Sequence, residues 1–249
     1  LIKKCAFTLA EVLITLGIIG VVAAITLPIL IQNHQKTVWV NQLKKTVSTL
    51  ENGFRLVMAD EGVDTLLDTS LWQNLPTGCT GNVSSSNCDS FFANFRKYFN
   101  VTYDKHATYR TFTNLNNSNI EYADILDITL SSGVQIHLDH LTKNVLTGNF
   151  GPLANIGNIV VDVNGIKSPN KMGRDVFLFG ITPYGQVIPY GSPAATKLYC
   201  EWHKRTADDL SRCLQSLMGN YNWDTEGLST GCSKAGNGWY CAARIMAEG

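Results

Sequence analysis

The sequence predicts an α+β fold: a long N-terminal α-helix, apolar in its first half, whose second half packs on an antiparallel β-sheet head with disulfide-stapled loops. Three observations predict it. Val12–Ile31 is a run of 20 residues without a charged side chain. Val40, Leu43, Val47, Leu50, Phe54 and Val57 follow at alternating spacings of three and four, the stripe of an amphipathic helix. Beyond about Glu61, short β-rich segments alternate with turn residues, and six of the seven cysteines fall there.

The uncharged run is long enough to cross a hydrocarbon core, at about 1.5 Å per helical residue. A secretory signal would have a shorter apolar region ending at a small-residue cleavage site, whereas this run continues into more helical sequence and is expected to be retained. Lys3 and Lys4 precede it and assign the N-terminus to the cytoplasm, which places everything after Gln32 outside. One helix is expected from about Phe7 to about Asp60. Pro28 is the point where it is open to kinking, because proline lacks a backbone donor and clashes with the preceding turn. The striped second half needs a globular partner to cover it.

That partner is the remainder of the chain. Phe91, Phe92, Phe95, Tyr98 and Phe99 suggest a short aromatic-faced helix. Ile125–Leu130 and Val134–Leu138 flank Ser131-Ser132-Gly133 and read as a β-hairpin. Ile159–Val163, Asp175–Thr182 and Gln186–Ile188 read as further strands, with turns at Asn164-Gly165 and Pro183-Tyr184-Gly185. Thr206–Met218 has helical spacing. The glycine-rich tail between Cys232 and Cys241 reads as a stapled loop. Leu1 in place of Met, and the abrupt end at Gly249 after a helical Ala242–Glu248, are what a piece of a longer chain would show.

Cys79, Cys88, Cys200, Cys213, Cys232 and Cys241 lie in what would be an oxidising compartment, enough for three disulfides, with Cys5 alone on the cytoplasmic side. Cys79 and Cys88 bracket a Gly/Asn/Ser-rich stretch and are expected to close a local loop. The other four could pair as 200–213 with 232–241, or in a crossed order. Zinc is the competing reading, but no Cys-x-x-Cys occurs. Asp162, Asn164 and Asp175 suggest a calcium loop but fail the EF-hand spacing, so a turn between strands is expected. His137 and His140 are three apart and point to opposite faces of a strand, which makes them exposed strand histidines rather than a ligand pair. No metal or cofactor is expected. Neither a Gly-x-Ser-x-Gly, a Walker loop nor a His-Glu-x-x-His motif is present, so nothing supports an enzyme. The formal net charge is zero, which gives no argument for a nucleic-acid partner.

Glu11 is the anomaly. It stands at the start of the apolar run, and a carboxylate in a lone membrane helix costs about 2.5–3.5 kcal/mol at the bilayer centre and less near an edge. A chain that keeps it is expected to supply a partner charge.

The segment Phe7-Thr8-Leu9-Ala10-Glu11, preceded by basic residues and followed by the apolar helix, resembles the N-terminal segment of type IV pilins and type II secretion pseudopilins. The likeness extends to about Phe54, and Gly20 and Pro28 fall at the family's usual glycine and proline positions. The resemblance implies a pilin-like fold and cleavage by a prepilin peptidase between Ala6 and Phe7, with methylation of the new amino group. It departs from the family at Ala6, where glycine is usual. Residues 162–170 and 173–177 also look like segments of pilin-like proteins with larger ectodomains.

This resemblance implies a six-residue leader (1–6), an assembly and membrane helix (7–60) and an extracytoplasmic head (61–249). Phe7, Glu11, Gly20 and Pro28 would be the assembly residues. The amine created at Phe7 of one subunit would pair with Glu11 of a neighbour, offsetting part of the cost of burying each charge. The chain would be a structural subunit of a type IV pilus or a type II secretion pseudopilus, anchored in the inner membrane before assembly. Its partners would be the peptidase, other pilin-like subunits, an inner-membrane assembly platform and membrane lipid. Adhesion, motility, DNA uptake and pushing secreted proteins outward are the roles such filaments have. A head of about 190 residues, from Glu61 to Gly249, suits a minor or tip-associated component. The alternative is a single-span membrane-anchored binding protein that does not polymerise, and an anchored hydrolase is a third reading.

Overall fold

The computed structural model describes residues 8–75, 88–141, 146–147, 154–193, 212, 231–233 and 235–248. The chain divides into two compact units, Leu1–Trp39 and Val40–Gly249. Helix α1, Leu9–Glu61, contributes to both and continues through Pro28.

In the first unit α1 is apolar all round and exposed: Leu13, Ile18, Ile19 and Ile25 are each at least 60 % exposed. Its most apolar stretch has a mean hydropathy of 2.6, long and apolar enough to cross a membrane. The hydroxyls within it are satisfied by its own backbone. Thr15 Oγ1 donates to the Glu11 and Val12 carbonyls at 2.9 Å and Thr26 Oγ1 to the Val22 carbonyl at 2.9 Å, as a water-free environment demands.

In the second unit the same helix buries one face. Leu43, Val47, Leu50, Phe54 and Val57 are at most 6 % exposed, which is the stripe that the sequence spacing predicts. Phe54 sits edge-on to Trp72 (6.2 Å) and to Phe99 (5.4 Å). Trp72 belongs to α2, Ser70–Gln73, and Phe99 follows α3, Asp89–Tyr98. Phe95 stacks on Phe99 with ring centres 4.0 Å apart. Gly53 is required by this collar, because a Cβ there would lie 2.1 Å from the Phe99 ring. α1 stops in a glycine cap: Gly62, at φ +65°, donates to Ala59 O, and Val63 N donates to Met58 O.

The head is built on a six-stranded antiparallel sheet. Its strands are β1 (Val101–Thr113), β2 (Asn119–Leu130), β3 (Gln135–Asp139), β6 (Gly157–Asp162), β7 (Val176–Ile181) and β8 (Val187–Pro189), in that spatial order. Leu146–Thr147 (β4) and Ala154–Asn155 (β5) form a separate two-stranded pair. β3, β6 and β7 are buried almost throughout, so both faces of the sheet are covered and the strands lose simple alternation. In register, Leu126, Leu138, Ile159 and Phe179 form one row and Ile128, Ile136, Val161 and Phe177 the next, all on one face. α1 is tied to this sheet where Glu51 Oε1 accepts from Val187 N at 3.1 Å.

The opposite face carries Val160, Val176, Leu178 and Ile188, and the far ends of β1 and β2 cover it through Phe112 and Tyr122. Met172, Tyr190 and Tyr240 complete that core. Tyr240 precedes α4, Cys241–Glu248, which lies against β7 and β8. The Cys232–Cys241 disulfide closes the tail as a stapled loop.

Most predicted elements are present; α2, β4 and β5 are additional, and β1 and His137 differ from expectation. β1 is a 13-residue strand that the sequence reading passes over, because its register with β2 is set by partners and not by alternation. His137 is not an exposed strand histidine: its side chain is 1 % exposed. The second face of the sheet is covered by the folded-over hairpin, so a polar side chain on it is interior. His140 lies past the end of β3 at φ +51° and is exposed. The expected helix at Thr206–Met218 lies outside the described residues.

Phe54→Ala is expected to lower the unfolding free energy of the head by about 3–5 kcal/mol. Urea denaturation of the full chain in detergent, followed by tryptophan fluorescence, measures this. A loss below about 1 kcal/mol would show that the collar does not hold helix to head.

Candidate functional site

Glu11 stands at the start of α1, and Gly20 and Pro28 lie farther along its apolar part. The helix begins at Leu9, which makes Thr8 its cap and Glu11 the third helical residue. Thr8 N and Thr8 Oγ1 both donate to Glu11 Oε2 at 2.8 Å, and Glu11 N donates back to Thr8 Oγ1 at 3.3 Å. This is a reciprocal capping box. It satisfies two orphan donors of the helix end and places the carboxylate where the helix dipole favours it. The Thr-x-x-Glu spacing is legible in the sequence, but reading Glu11 as an isolated acid missed Thr8. Ala6 and Phe7 lie outside the described residues.

Gly20 has open space around it: a Cβ there would meet nothing within 4 Å, and the same holds for Gly17. Glycine in a helix interior costs roughly 0.5–1 kcal/mol relative to alanine, with no packing gain in the single chain. Pro28 removes the donor that would reach the Ala24 carbonyl, a penalty of about 3 kcal/mol in a water-exposed helix. Glu11, Gly20 and Pro28 thus lie along one helix, the first capped by Thr8 and the other two each unfavourable in an isolated helix. Small residues and locally opened backbone are what close helix–helix contact uses.

The other predicted residues fall in the head. Cys232 and Cys241 are joined, and Cys88 is disulfide-bonded. Cys79, Cys200 and Cys213 lie outside the described residues. Among the described residues no group of three or more His, Cys, Asp or Glu could hold a metal ion.

The head also contains a buried ionic group that the sequence did not reveal. Arg110 Nε donates to Asp127 Oδ2 at 2.8 Å, and His137 Nδ1 lies 2.6 Å from Asp127 Oδ1. Burial pushes the Asp127 carboxyl up, but the His137 and Arg110 hydrogen bonds and charges outweigh it and hold it below the usual range. A carboxylate that orients an imidazole is a catalytic arrangement only when the far nitrogen reaches a substrate. Here His137 Nε2 is enclosed without a partner, and the ring packs edge-on to Phe112 at 5.3 Å. The group pins the β1–β2 hairpin over the sheet. A cleft of about 430 Å³ lies between α1 at Gln42–Thr49, the 98–100 segment and the 130–132 turn. It contains Lys45 and several hydroxyls but no paired nucleophile and base.

Residues 2–27 match the family model described as "Prokaryotic N-terminal methylation motif", the signature of type IV pilins and pseudopilins. The matched segment includes Ala6, Phe7, Glu11 and Gly20 and ends just before Pro28. No curated protein and no solved structure matches the chain.

Thr8→Ala is expected to remove about 1 kcal/mol of capping. Amide hydrogen exchange at Ala10 and Glu11 in detergent should then accelerate roughly fivefold. Unchanged exchange would show that the box does not hold the helix start.

Proposed function

We propose that this chain, a type IV pilin-like precursor by its methylation motif, is a structural subunit of a type IV pilus or a type II secretion pseudopilus. The observation that carries the reading is Glu11 at the third position of a capped, exposed apolar helix, within the motif match. Prepilin peptidase cuts between Ala6 and Phe7, which removes Lys3 and Lys4 and leaves a free amine two residues before the Leu9 helix start. The leader is 1–6, the assembly helix 7–60 and the head 61–249.

Assembly proceeds by lateral packing of the apolar helices. Within one chain Thr8 already satisfies Glu11 Oε2, so the carboxylate is tolerated before assembly. In the filament the Phe7 amine of an incoming subunit replaces or joins those donors on a neighbour's Glu11. Methylation keeps the amine's positive charge. In a water-poor bundle such a pair fixes axial register, and removing one partner costs more than the pair contributes because the other charge stays buried. Gly20 admits a neighbouring helix, and Pro28 bounds the stretch that can lose helicity. The subunit waits in the inner membrane, in contact with lipid and an assembly platform, with its head outside. Disulfides suit that compartment. The chain is a substrate of processing and not an enzyme.

N-terminal sequencing of membrane-extracted protein is expected to begin at methylated Phe7, with Ala6→Gly raising the processed fraction. An intact Lys3-Lys4 leader in cells with active peptidase would contradict the reading and favour a simple anchor. Glu11→Ala is expected to enter the membrane normally and to be absent from sheared filaments.

A further inference from the structure

The loop from Val163 to Asp175, between β6 and β7, is built around two interior carboxylates. Asp162 is 2 % exposed and Asp175 0 %. Asp162 Oδ1 accepts from Asn164 N at 3.2 Å, while Asp175 accepts from Asn170 N at 2.9 Å and Lys171 N at 2.8 Å. The Asn164 side chain also hydrogen-bonds Asp175, so one residue touches both acids. With its amide nitrogen turned toward the acceptors around it, Asn170 donates to Asp162 Oδ2 at 3.2 Å and to the Lys167 and Gly165 carbonyls. The loop's shape is thereby tied to the two carboxyl groups.

Among the described residues no cation pairs with either acid, in contrast to Asp127. Arg110 of β1 is, among the described residues, the cation whose field reaches Asp162, but its guanidinium is committed to Asp127 of β2, which also holds His137 of β3. On the loop itself Lys167 and Arg174 are exposed, and Lys171 Nζ donates to Asn117 Oδ1 at 2.6 Å. Two neighbouring interior carboxyls without a counter-charge do not both ionise readily.

We propose that Asp162 and Asp175 hold one proton between them in the folded head, and that losing it loosens the β6–β7 loop, making this loop a pH-sensitive latch. The electrostatics agree with the geometry. Burial first, and then the Asp175 charge, pushes the Asp162 carboxyl up to about 8, against the backbone hydrogen bonds and the Arg110 field. Burial raises Asp175 as well. Between the ordinary aspartate range near 4 and this raised value, the native state carries a proton that the unfolded chain has released. Stability from the pair is therefore complete at acid pH, declines as pH rises across that window, and levels off above about 8.

The test is urea unfolding of the full chain in detergent and EDTA, followed by tryptophan fluorescence from about pH 5 to pH 9, for wild type and Asp162→Asn. The unfolding constant of the wild type, relative to the variant, should rise about tenfold per pH unit up to about pH 8 and then stay level. Parallel pH profiles would overturn the proposal. If Asp162→Asn does not fold, Asp175→Asn makes the same comparison. A carbon-13 carboxyl titration of the wild type decides independently of both variants. An inflection well above pH 6 supports the shared proton, and one near pH 4 for both acids contradicts it.

Discussion

Everything in this protein hangs on one helix that must suit two surroundings. Up to Val38 the large apolar side chains of α1 are exposed on every side, and from Leu43 onward an apolar stripe is buried. Apolar surface favours burial by roughly 25 cal/mol per Å², so the first part demands lipid or other helices while the second part is satisfied by its own head. The head buries the second part of the helix through its aromatic collar around Phe54. The first part also carries Glu11, which Thr8 caps, and Gly20 and Pro28, which cost an isolated helix stability.

The head solves the problem of interior charge in two ways. Asp127 is enclosed but has Arg110 on one oxygen and His137 on the other, a locally neutralised group that fastens the long β1–β2 hairpin across the sheet. Among the described residues Asp162 and Asp175 have neutral donors, largely from the backbone of their own loop. The first arrangement is held by the Arg110 cation beside the carboxylate. The second depends on a proton. Both lie on the sheet face closed by Phe112, Tyr122 and Tyr240.

Much of this was legible from residue order. The α1 stripe, the aromatic-faced α3, the β2–β3 hairpin and the β6 and β7 strands follow from spacing and turn residues, because each is decided by local pattern. β1 was not legible, since a strand whose face is decided by a distant core shows no clean alternation. The interior place of His137 was hidden for the same reason: strand periodicity says which face a residue takes, but not that a hairpin folds back to cover that face. At the helix start, Thr8-x-x-Glu11 is legible as a capping pattern. The described residues now show that this acid is not bare in the single chain. Thr8 holds it, so the question moves from why the carboxylate is tolerated to what replaces Thr8 when helices pack.

The measurement that tests this most directly is filament incorporation of Glu11→Gln. Glutamine keeps an acceptor for Thr8 N–H and a similar shape, so the cap and membrane insertion survive while the negative charge is lost. The account predicts a variant that inserts and is cleaved before Phe7 but does not enter filaments. Incorporation at the wild-type level would contradict it, because the carboxylate would then serve only to cap its own helix.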